Sequence, residues 1–240
     1  MMLKAILFDC DGVIVDSEPY HLAAFQQTLA RYGITLTRAE YEEAYLAMDD
    51  KGCFEAVLAA HGKPFDTPLL KKMILQKKAA YAARAAGACR IYPGVVAFVR
   101  KAQGQYRLAI ASGAFRGEIK DALDQGGIRS AFEVIVSAQD VRRGKPDPEA
   151  YQTALAKLNA RAPSSQILPA ECVVIEDSLH GVHAARAAGM RCLAVTHSYP
   201  RAMLEGCANR VIDDLTEVSP HDLESLLTGC PSRSGPSHAS

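Results

Sequence analysis

The chain has 240 residues, enough for one large domain or a domain with a sizeable insertion, and its 49% hydrophobic content can fill a core. Basic and acidic residues both number 27, so the formal net charge is zero and no broad basic surface for nucleic acid is expected. The seven cysteines are scattered and never spaced as C-x-x-C, which argues against a disulfide framework or a zinc site and favours a reducing cytoplasm. No apolar run approaches membrane-spanning length, so we expect no membrane partner. We also expect the protein to be a cytoplasmic monomer.

Short apolar runs alternate with helical patterns along most of the chain. The predicted strands are KAILFD, YRLAIAS, FEVIVS, ECVVIED and RCLAVTH. Capping residues mark the helices between them: Ser17 opens the first, Asp147 with Pro148 opens a later one, and the helix after Ser178 stops at Gly189. This alternation predicts an α/β protein with a doubly wound, mostly parallel sheet covered on both faces.

The alternation is interrupted after the first strand. Residues 17–91 are helix-like throughout, with no convincing strand, and Pro93 and Gly94 punctuate the return of the chain. We therefore predict an all-helical cap, 17–91, inserted into an α/β core formed by 1–16 and 92–226. The final residues, 227–240, are rich in Ser, Pro and Gly and are predicted to be a mobile tail.

Two carboxylates, Asp9 and Asp11, stand one residue apart where the first predicted strand ends. In an extended strand they project to the same side, and like charges so close repel unless a cation or a shared proton relieves them. Ligands of a doubly wound sheet bind beyond the carboxyl ends of the strands, where the residues that follow the other strands should meet this pair. Those residues are Ser112, Gly113, Lys145, Glu176 and Asp177. Four carboxylates with one lysine and a small hydroxyl suit Mg²⁺ bound together with a phosphate group.

Taken singly, each feature has a plainer explanation. A D-x-D pair is commonly a solvated strand end, GKPDP is commonly a turn with a helix cap, and ED before Ser178 is commonly a helix N-terminus. The occurrence of all of them at successive strand ends favours a functional site.

The set DCDGVIVDSE, ASG, GKPDP and VIEDS resembles, in order, spacing and strand context, the four motifs of the haloacid dehalogenase superfamily. The resemblance covers nearly everything except the tail and is closest to the phosphatase and phosphomutase branch, which has a helical cap after the first strand. It implies a Rossmann-like core and an Mg²⁺-dependent phosphatase that acts on a small phosphorylated metabolite, such as a sugar phosphate or a phosphoglycolate-like acid.

The resemblance also implies roles for individual residues. Asp9 would be the nucleophile that forms an aspartyl-phosphate, and Asp11 would be the general acid and base. Ser112 would hold the phosphoryl oxygens and Lys145 would neutralise their charge, with Gly12 and Gly113 also binding substrate. The metal would be held by Asp9, the backbone carbonyl of Asp11, Asp177 and, directly or through water, Glu176.

The cap offers candidate substrate-binding residues that the core motifs do not include. His21 lies where the first helix begins, and Lys51 and Lys77 could reach a distal phosphate or sugar. A histidine at a helix start is as commonly a packing residue, and lysines on an Ala/Lys-rich helix are commonly solvated.

Two other functions remain open at this point. A β-phosphoglucomutase has a similar entry sequence, DGVIVDSEPYH, but mutases of this group carry a cap arginine where this chain has Asp49 and Asp50 beside one lysine. A catalytically silent binding protein on the same fold is the other alternative, since fold alone does not establish activity.

Overall fold

The structure is a computed structural model that describes residues 2–46, 48, 50–85 and 90–228. The chain divides into two compact units, one formed by 1–14 with the chain from 91 onward, and one formed by 15–90. The sequence places these crossings after residue 16 and before residue 92. Asp49 and most of the predicted tail, 229–240, lie outside the described residues.

The strands of the described residues are, in chain order, β1 (Ala5–Phe8), β2 (Val15–Asp16), β3 (Arg90–Ile91), β4 (Arg107–Ala111), β5 (Val134–Val136), β6 (Cys172–Glu176), β7 (Arg191–Val195) and β8 (Arg210–Ile212). Six of them form one parallel sheet in the order β5-β4-β1-β6-β7-β8, while β2 pairs with β3. This order is the doubly wound arrangement, which confirms the predicted fold class. β2, β3 and β8 were not predicted from the sequence, and β3 lies at the end of 17–91, where the sequence showed no convincing strand.

The α-helices are α1 (Glu18–Ala30), α2 (Arg38–Glu40), α3 (Asp50–Ala60), α4 (Thr67–Ala85), α5 (Val95–Ala102), α6 (Arg116–Gln125), α7 (Glu149–Arg161), α8 (Leu179–Ala187), α9 (Arg201–Leu204) and α10 (Ser225–Thr228). A π-helical turn, Tyr41–Tyr45, follows α2, and several one-turn 3₁₀ segments join the other elements. No helix within the described ranges has both the length and the apolar character needed to cross a membrane.

Three details of the helices refine the predictions. Ser178 caps α8 as predicted, because its Oγ accepts a hydrogen bond from Gly181 N at 3.0 Å. Helix α7 begins at Glu149, later than predicted, because the Asp147 carboxylate accepts from Glu149 N and Pro148 still lies outside the helix. Ser17 precedes α1 as predicted but makes no side-chain capping hydrogen bond.

The predicted start of the tail at residue 227 is wrong. Leu227 and Thr228 belong to α10, and Leu226 and Leu227 are buried. Burial of these leucines holds the last described turn against the rest of its unit, which the polar composition of the following residues obscured in the sequence.

The two units are called here the sheet unit, 1–14 with the chain from 91 onward, and the helical unit, 15–90. Each has its own hydrophobic core. In the sheet unit, alternate residues of β1 cover both faces: Leu7 packs in a cluster with α7 and α8, whereas Phe8 makes edge-to-face contacts with Phe98 and Phe132. The helical unit is built around a second cluster, which includes Phe25, Leu29, Phe54, Leu58 and Met73. Burying both faces of the sheet leaves the strand ends as the natural place for polar groups.

Candidate active site

The site begins where β1 ends. In the parallel ladder Phe8 stands opposite Ile175 of β6, and Asp9 N donates to Ile175 O at 3.0 Å. This register brings Asp9 alongside Glu176, the last residue of β6, and Asp177, which follows it. Strand order therefore joins carboxylates that are more than 160 residues apart in the sequence.

Three buried carboxylates form a tight cluster. Asp9, Glu176 and Asp177 can each offer one oxygen such that all three oxygens lie within 4.8 Å of one another. Their residues are 9%, 0% and 5% exposed. Three like charges that close in a buried place need positive charge or protons to coexist.

Lys145 supplies part of that positive charge. Its Nζ lies 2.6 Å from Glu176 Oε1 and 3.1 Å from Asp9 Oδ1. Burial lowers the pKa of the Lys145 ammonium, but the attraction of Asp9 and Glu176 is stronger and leaves that pKa above its usual value. Lys145 therefore stays charged in the cluster.

Of the three carboxylates, Glu176 has the most complete set of hydrogen-bond partners. Its Oε1 accepts from Lys145 and from Tyr151 OH at 2.8 Å, and its Oε2 accepts from Asp177 N, Ser178 N and Ser178 Oγ at 2.9, 3.1 and 3.0 Å. Burial raises the pKa of Glu176, but Lys145 and these hydrogen bonds outweigh burial and hold it below its usual value. Glu176 is thus ionised and oriented by its neighbours.

Asp9 and Asp177 are left with unbalanced negative charge. Burial, opposed by Lys145 and assisted by Glu176 and Asp11, raises the pKa of Asp9 to about 7. Burial, with Glu176 and Asp9, also raises the pKa of Asp177 well above its usual value. Asp9 Oδ1 is buried and takes no well-aligned hydrogen bond, although Lys145 Nζ is near it. A hard divalent cation such as Mg²⁺ fits this oxygen-rich group, because it would supply the missing charge.

The turn after Asp11 packs directly on the cluster. Gly12 has φ +71°, and a Cβ there would lie 1.8 Å from Asp177 Oδ2, so both conformation and space require glycine. Ile14 N donates to Cys10 O at 2.8 Å and closes the turn. Asp11 is partly exposed, and its charge contributes to the raised pKa of Asp9.

Ser112 and Gly113 follow β4, the other neighbour of β1. Ser112 is buried, its N donates to Val136 O at 3.0 Å, and its Oγ accepts from Ala114 N at 3.1 Å. Gly113 is exposed, with open space at its Cβ position. Within the described part of the chain Ser112 makes no hydrogen bond to the carboxylates, so the structure places it at the same sheet edge without joining it to them.

In the helical unit, Lys77 contacts both His21 and a third residue, Asp50. Lys77 is 2% exposed, and its Nζ lies 2.7 Å from both Asp50 Oδ1 and His21 Nδ1, and 4.7 Å from the ring centre of Phe25. Because an ammonium group only donates, His21 Nδ1 accepts and its proton is on Nε2. Burial, then the charge of Lys77, lowers the pKa of His21 well below its usual value, which keeps the ring neutral.

Lys51 is not part of this group of contacts. It is exposed on α3, with its Nζ 3.4 Å from Glu55 one helical turn later. An exposed pair of this kind stabilises a helix by only a few tenths of a kcal/mol, roughly 0.3–0.5.

Sequence reasoning missed three residues that contact the site. Tyr151 donates to Glu176 from α7, Ser198 Oγ donates to Asp177 Oδ2, and His197 Nδ1 lies 2.7 Å from Gly12 O. His197 and Ser198 follow β7, so the rule that directed attention to the other strand ends also applied to them. Tyr151 lies in the first turn of α7, where nothing in the local pattern indicates a role in the site.

The chain matches the family model for haloacid dehalogenase-like hydrolases over residues 3–189. It is 30% identical over 225 residues to Protein CbbY of Cereibacter sphaeroides, covering 90% of this chain and 94% of that protein. It is also 30% identical over 212 residues to a phosphorylated carbohydrates phosphatase of Thermotoga maritima, covering 86% and 92% of the two chains.

A crystal structure of CbbY from Rhodobacter sphaeroides in complex with phosphate superposes with a TM-score of 0.72 at 29% identity, covering 90% of this chain and 96% of that one. Fold, motif order and these similarities agree. The chain belongs to the haloacid dehalogenase-like hydrolase family.

Proposed function

We propose that this hydrolase is an Mg²⁺-dependent phosphatase that hydrolyses a small phosphorylated metabolite through an aspartyl-phosphate on Asp9. The observation that carries the proposal is the environment of Asp9: a buried carboxylate with an unsatisfied oxygen, beside Lys145 and two further carboxylates. A carboxylate is a weak nucleophile, so it needs a positioned phosphoryl group and neutralising charge nearby.

The proposed metal ligands are Asp9, Asp177 and the backbone carbonyl of Asp11. Bound Mg²⁺ would neutralise carboxylate charge and polarise a phosphoryl oxygen. Glu176 already accepts hydrogen bonds on both of its oxygens, so we propose that it would contact the metal through a water molecule and not directly.

The other roles follow from charge and position. Lys145 stays protonated and would offset negative charge on the phosphoryl oxygens. Asp11, partly exposed, would protonate the leaving alkoxide and later take a proton from the attacking water. Ser112 and Gly113 would bind the phosphoryl oxygens from the end of β4.

A sugar phosphate is the substrate class that we favour, because a relative with 30% identity is named for phosphorylated carbohydrates. We propose that His21 reads the organic part of the substrate and that Lys77, which is buried, acts through its contact with His21. The charge of Lys77 is already balanced by Asp50, and His21 is neutral, so this group suits hydroxyl groups better than a second phosphate. Lys51 also has an acidic neighbour, Glu55.

Lys77 and Lys51 are both paired with acidic residues, so neither offers an unpaired positive charge to a second phosphate. This favours a phosphatase over a phosphomutase, which must hold a second phosphate during its cycle. The intact set of Asp9, Asp11, Lys145 and Asp177 likewise favours an enzyme over a silent binding protein. We place the enzyme in the cytoplasm as a monomer, with a small metabolite as its partner.

Hydrolysis of p-nitrophenyl phosphate with and without Mg²⁺ tests the reaction. We expect Asp9→Asn to lower kcat on the order of 10³-fold or more and to abolish an acid-labile phosphoenzyme, because the nucleophile is removed. Circular dichroism should show an unchanged fold, and Asp124→Asn, an exposed surface change, should retain parental activity. An Asp9→Asn variant within a few-fold of the parent would exclude the covalent mechanism.

A panel of phosphorylated metabolites tests the substrate class. We expect sugar monophosphates to have a higher kcat/KM than either sugar bisphosphates or phosphoglycolate. A clear preference for a bisphosphate, or interconversion of two sugar monophosphates without release of phosphate, would favour the mutase instead.

A further inference from the structure

The loop that follows β7 sends two neighbouring side chains into different parts of the active site. His197 Nδ1 lies 2.7 Å from the carbonyl oxygen of Gly12. Ser198 Oγ donates to Asp177 Oδ2. Neither residue belongs to the four motifs, and all of these residues lie in the sheet unit.

His197 holds the turn that follows Asp11. Because the Gly12 carbonyl can only accept, Nδ1 of His197 is the protonated nitrogen of the ring. The imidazole also stacks on Tyr92, with ring centres 3.7 Å apart and planes 8° from parallel. Tyr92 N in turn donates to Ile14 O at 3.0 Å. His197 and Tyr92 therefore hold the turn by hydrogen bonds to Gly12 O and Ile14 O.

Ser198 orients the carboxylate of Asp177. Its single hydroxyl proton is directed at Oδ2, the same oxygen that lies 1.8 Å from where a Cβ of Gly12 would be. That hypothetical Cβ would also lie 3.0 Å from Ser198 Oγ. The turn, the loop and the Asp177 carboxylate thus pack at one point, which restrains the direction of the remaining oxygen, Oδ1.

The loop is itself anchored. Thr196 N donates to Ile212 O of β8 at 3.1 Å, and Thr196 Oγ1 donates to Asp213 at 2.8 Å. The anchor matters because a side chain can orient its partner only if its own backbone is held.

We propose that His197 and Ser198 are positioning residues, one for the turn that carries Asp11 and the other for Asp177. The inference rests on the proposed phosphatase function for its kinetic part. Groups that orient metal ligands and acid–base residues typically change affinity or activity by about 10–100-fold when removed.

Two substitutions separate the hydrogen bond of His197 from its stacking. His197→Phe keeps an aromatic ring for Tyr92 but has no donor for Gly12 O, whereas His197→Asn keeps a donor and loses the stack. We expect the Phe variant to lower kcat about 10–100-fold, with KM for p-nitrophenyl phosphate changed little, and the Asn variant to recover most of that loss. Amide hydrogen exchange of the Cys10–Ile14 turn should be faster in the Phe variant than in the Asn variant.

Ser198→Ala tests the second contact without relying on turnover. We expect the Mg²⁺ concentration that produces a given rise in melting temperature to increase about tenfold, and the Mg²⁺ midpoint of a calorimetric titration to increase equally. Ser225→Ala is the matched control, because it removes a serine hydroxyl hydrogen bond, to Asp222 O, elsewhere in the sheet unit. It should leave kcat and the Mg²⁺ response unchanged.

The possible outcomes decide the proposal clearly. Parental kcat and hydrogen exchange in the Phe variant, an Asn variant as impaired as the Phe variant, or an unchanged Mg²⁺ midpoint in Ser198→Ala would overturn it. If the parent itself shows no Mg²⁺-dependent phosphatase activity, the proposed function fails, while hydrogen exchange and the melting titration still decide the positioning roles.

Discussion

Glycine is required at position 12 for two separate reasons, its backbone conformation and the lack of space for a side chain. Its φ of +71° lies in the left-handed region, and Asp177 Oδ2 occupies the space that any side chain would need. Gly104 shares the first constraint, with φ +82°, but has open space at its Cβ position. The two glycines therefore allow backbone strain and side-chain collision to be measured separately.

We expect Gly104→Ala to lower the free energy of unfolding by about 1–2 kcal/mol and to leave turnover unchanged, because only backbone strain is introduced. Gly12→Ala should cost more than Gly104→Ala and also abolish Mg²⁺-dependent turnover, since it displaces the Asp177 carboxylate. Denaturant unfolding and p-nitrophenyl phosphate hydrolysis provide the measurements. Equal costs in the two variants would mean that the Gly12 turn relaxes without disturbing the metal ligands.

His21 makes the protein sensitive to mild acid. Its pKa is well below the usual 6.5, owing to burial and then to Lys77, so the folded ring stays neutral while the unfolded ring takes up a proton. As the pH falls below 6.5, the free energy of unfolding therefore decreases by up to about 1.4 kcal/mol per pH unit. This contribution is constant above pH 6.5 and is lost below it.

Replacing His21 by Gln should remove that loss, because Gln offers Lys77 an acceptor that does not titrate. We expect the free energy of unfolding of His21→Gln to fall less between pH 7 and pH 5 than that of the parent. His180→Gln, at an exposed position, should follow the parent. Parallel pH profiles for parent and His21→Gln would show that the folded ring titrates freely.

At the scale of elements, helix α7 supports the carboxyl end of strand β6. Tyr151 is fully buried, and its hydroxyl donates to Glu176 at 2.8 Å. Burial and the charge of Glu176 hold the pKa of Tyr151 well above its usual value, so the hydroxyl remains a donor. The helix and the strand are thus joined by a charge-assisted hydrogen bond inside the core, where such bonds are strongest.

Removing this bond should cost stability and weaken the metal site. We expect Tyr151→Phe to lower the free energy of unfolding by about 1–3 kcal/mol and to raise the Mg²⁺ midpoint, since a buried carboxylate loses a donor. Tyr106→Phe is the matched control: it also removes a 2.8 Å bond to a glutamate, Glu224, but Tyr106 precedes β4, at the opposite end of that strand from Ser112. It should cost roughly 0.5–1.5 kcal/mol and leave the Mg²⁺ response intact. Indistinguishable variants would show that the α7 contact does not support the site.

At the scale of the whole molecule, each unit has its own hydrophobic core, and only one unit holds the proposed metal site. The cluster around Leu58 belongs entirely to the helical unit, whereas Asp9, Glu176 and Asp177 all belong to the sheet unit. Under the proposed function, substrate reading and chemistry would belong to different units, which can be perturbed one at a time.

Leu58→Ala should remove about 2–5 kcal/mol from the helical unit by leaving a cavity at a fully buried position. The Mg²⁺ midpoint, measured by calorimetric titration, should stay within about twofold of the parent, because the Leu58 cluster and the carboxylates belong to separate units and share no residues. Val174→Ala, in the core of the sheet unit, is the comparison that should lower both stability and Mg²⁺ affinity. Loss of Mg²⁺ binding in Leu58→Ala would show that the two units are coupled.

The local pattern of the sequence determined which segments became strands and helices, and which residues end the strands. Hydrophobic alternation and helix caps act over a few neighbouring residues, so β1, β4, β5, β6 and β7, the Ser178 cap and the position of Asp9 and Asp11 were predictable. The three-residue β8 and the short α10 were not, because their burial depends on contacts with distant parts of the chain.

Only the tertiary structure decided which of the candidate residues meet. The sequence alone indicated Lys145 and Asp9, but the strand order β5-β4-β1-β6-β7-β8 places Asp9 beside Glu176. The tertiary structure also brings Tyr151 and Ser198 into hydrogen-bond contact with Glu176 and Asp177. It also turned Lys77 from a lysine on a polar helix into a buried partner of Asp50 and His21. The physical reason is that charge balance, burial and hydrogen-bond partners depend on distances in space. The local sequence does not determine the distances between residues that are far apart in the chain.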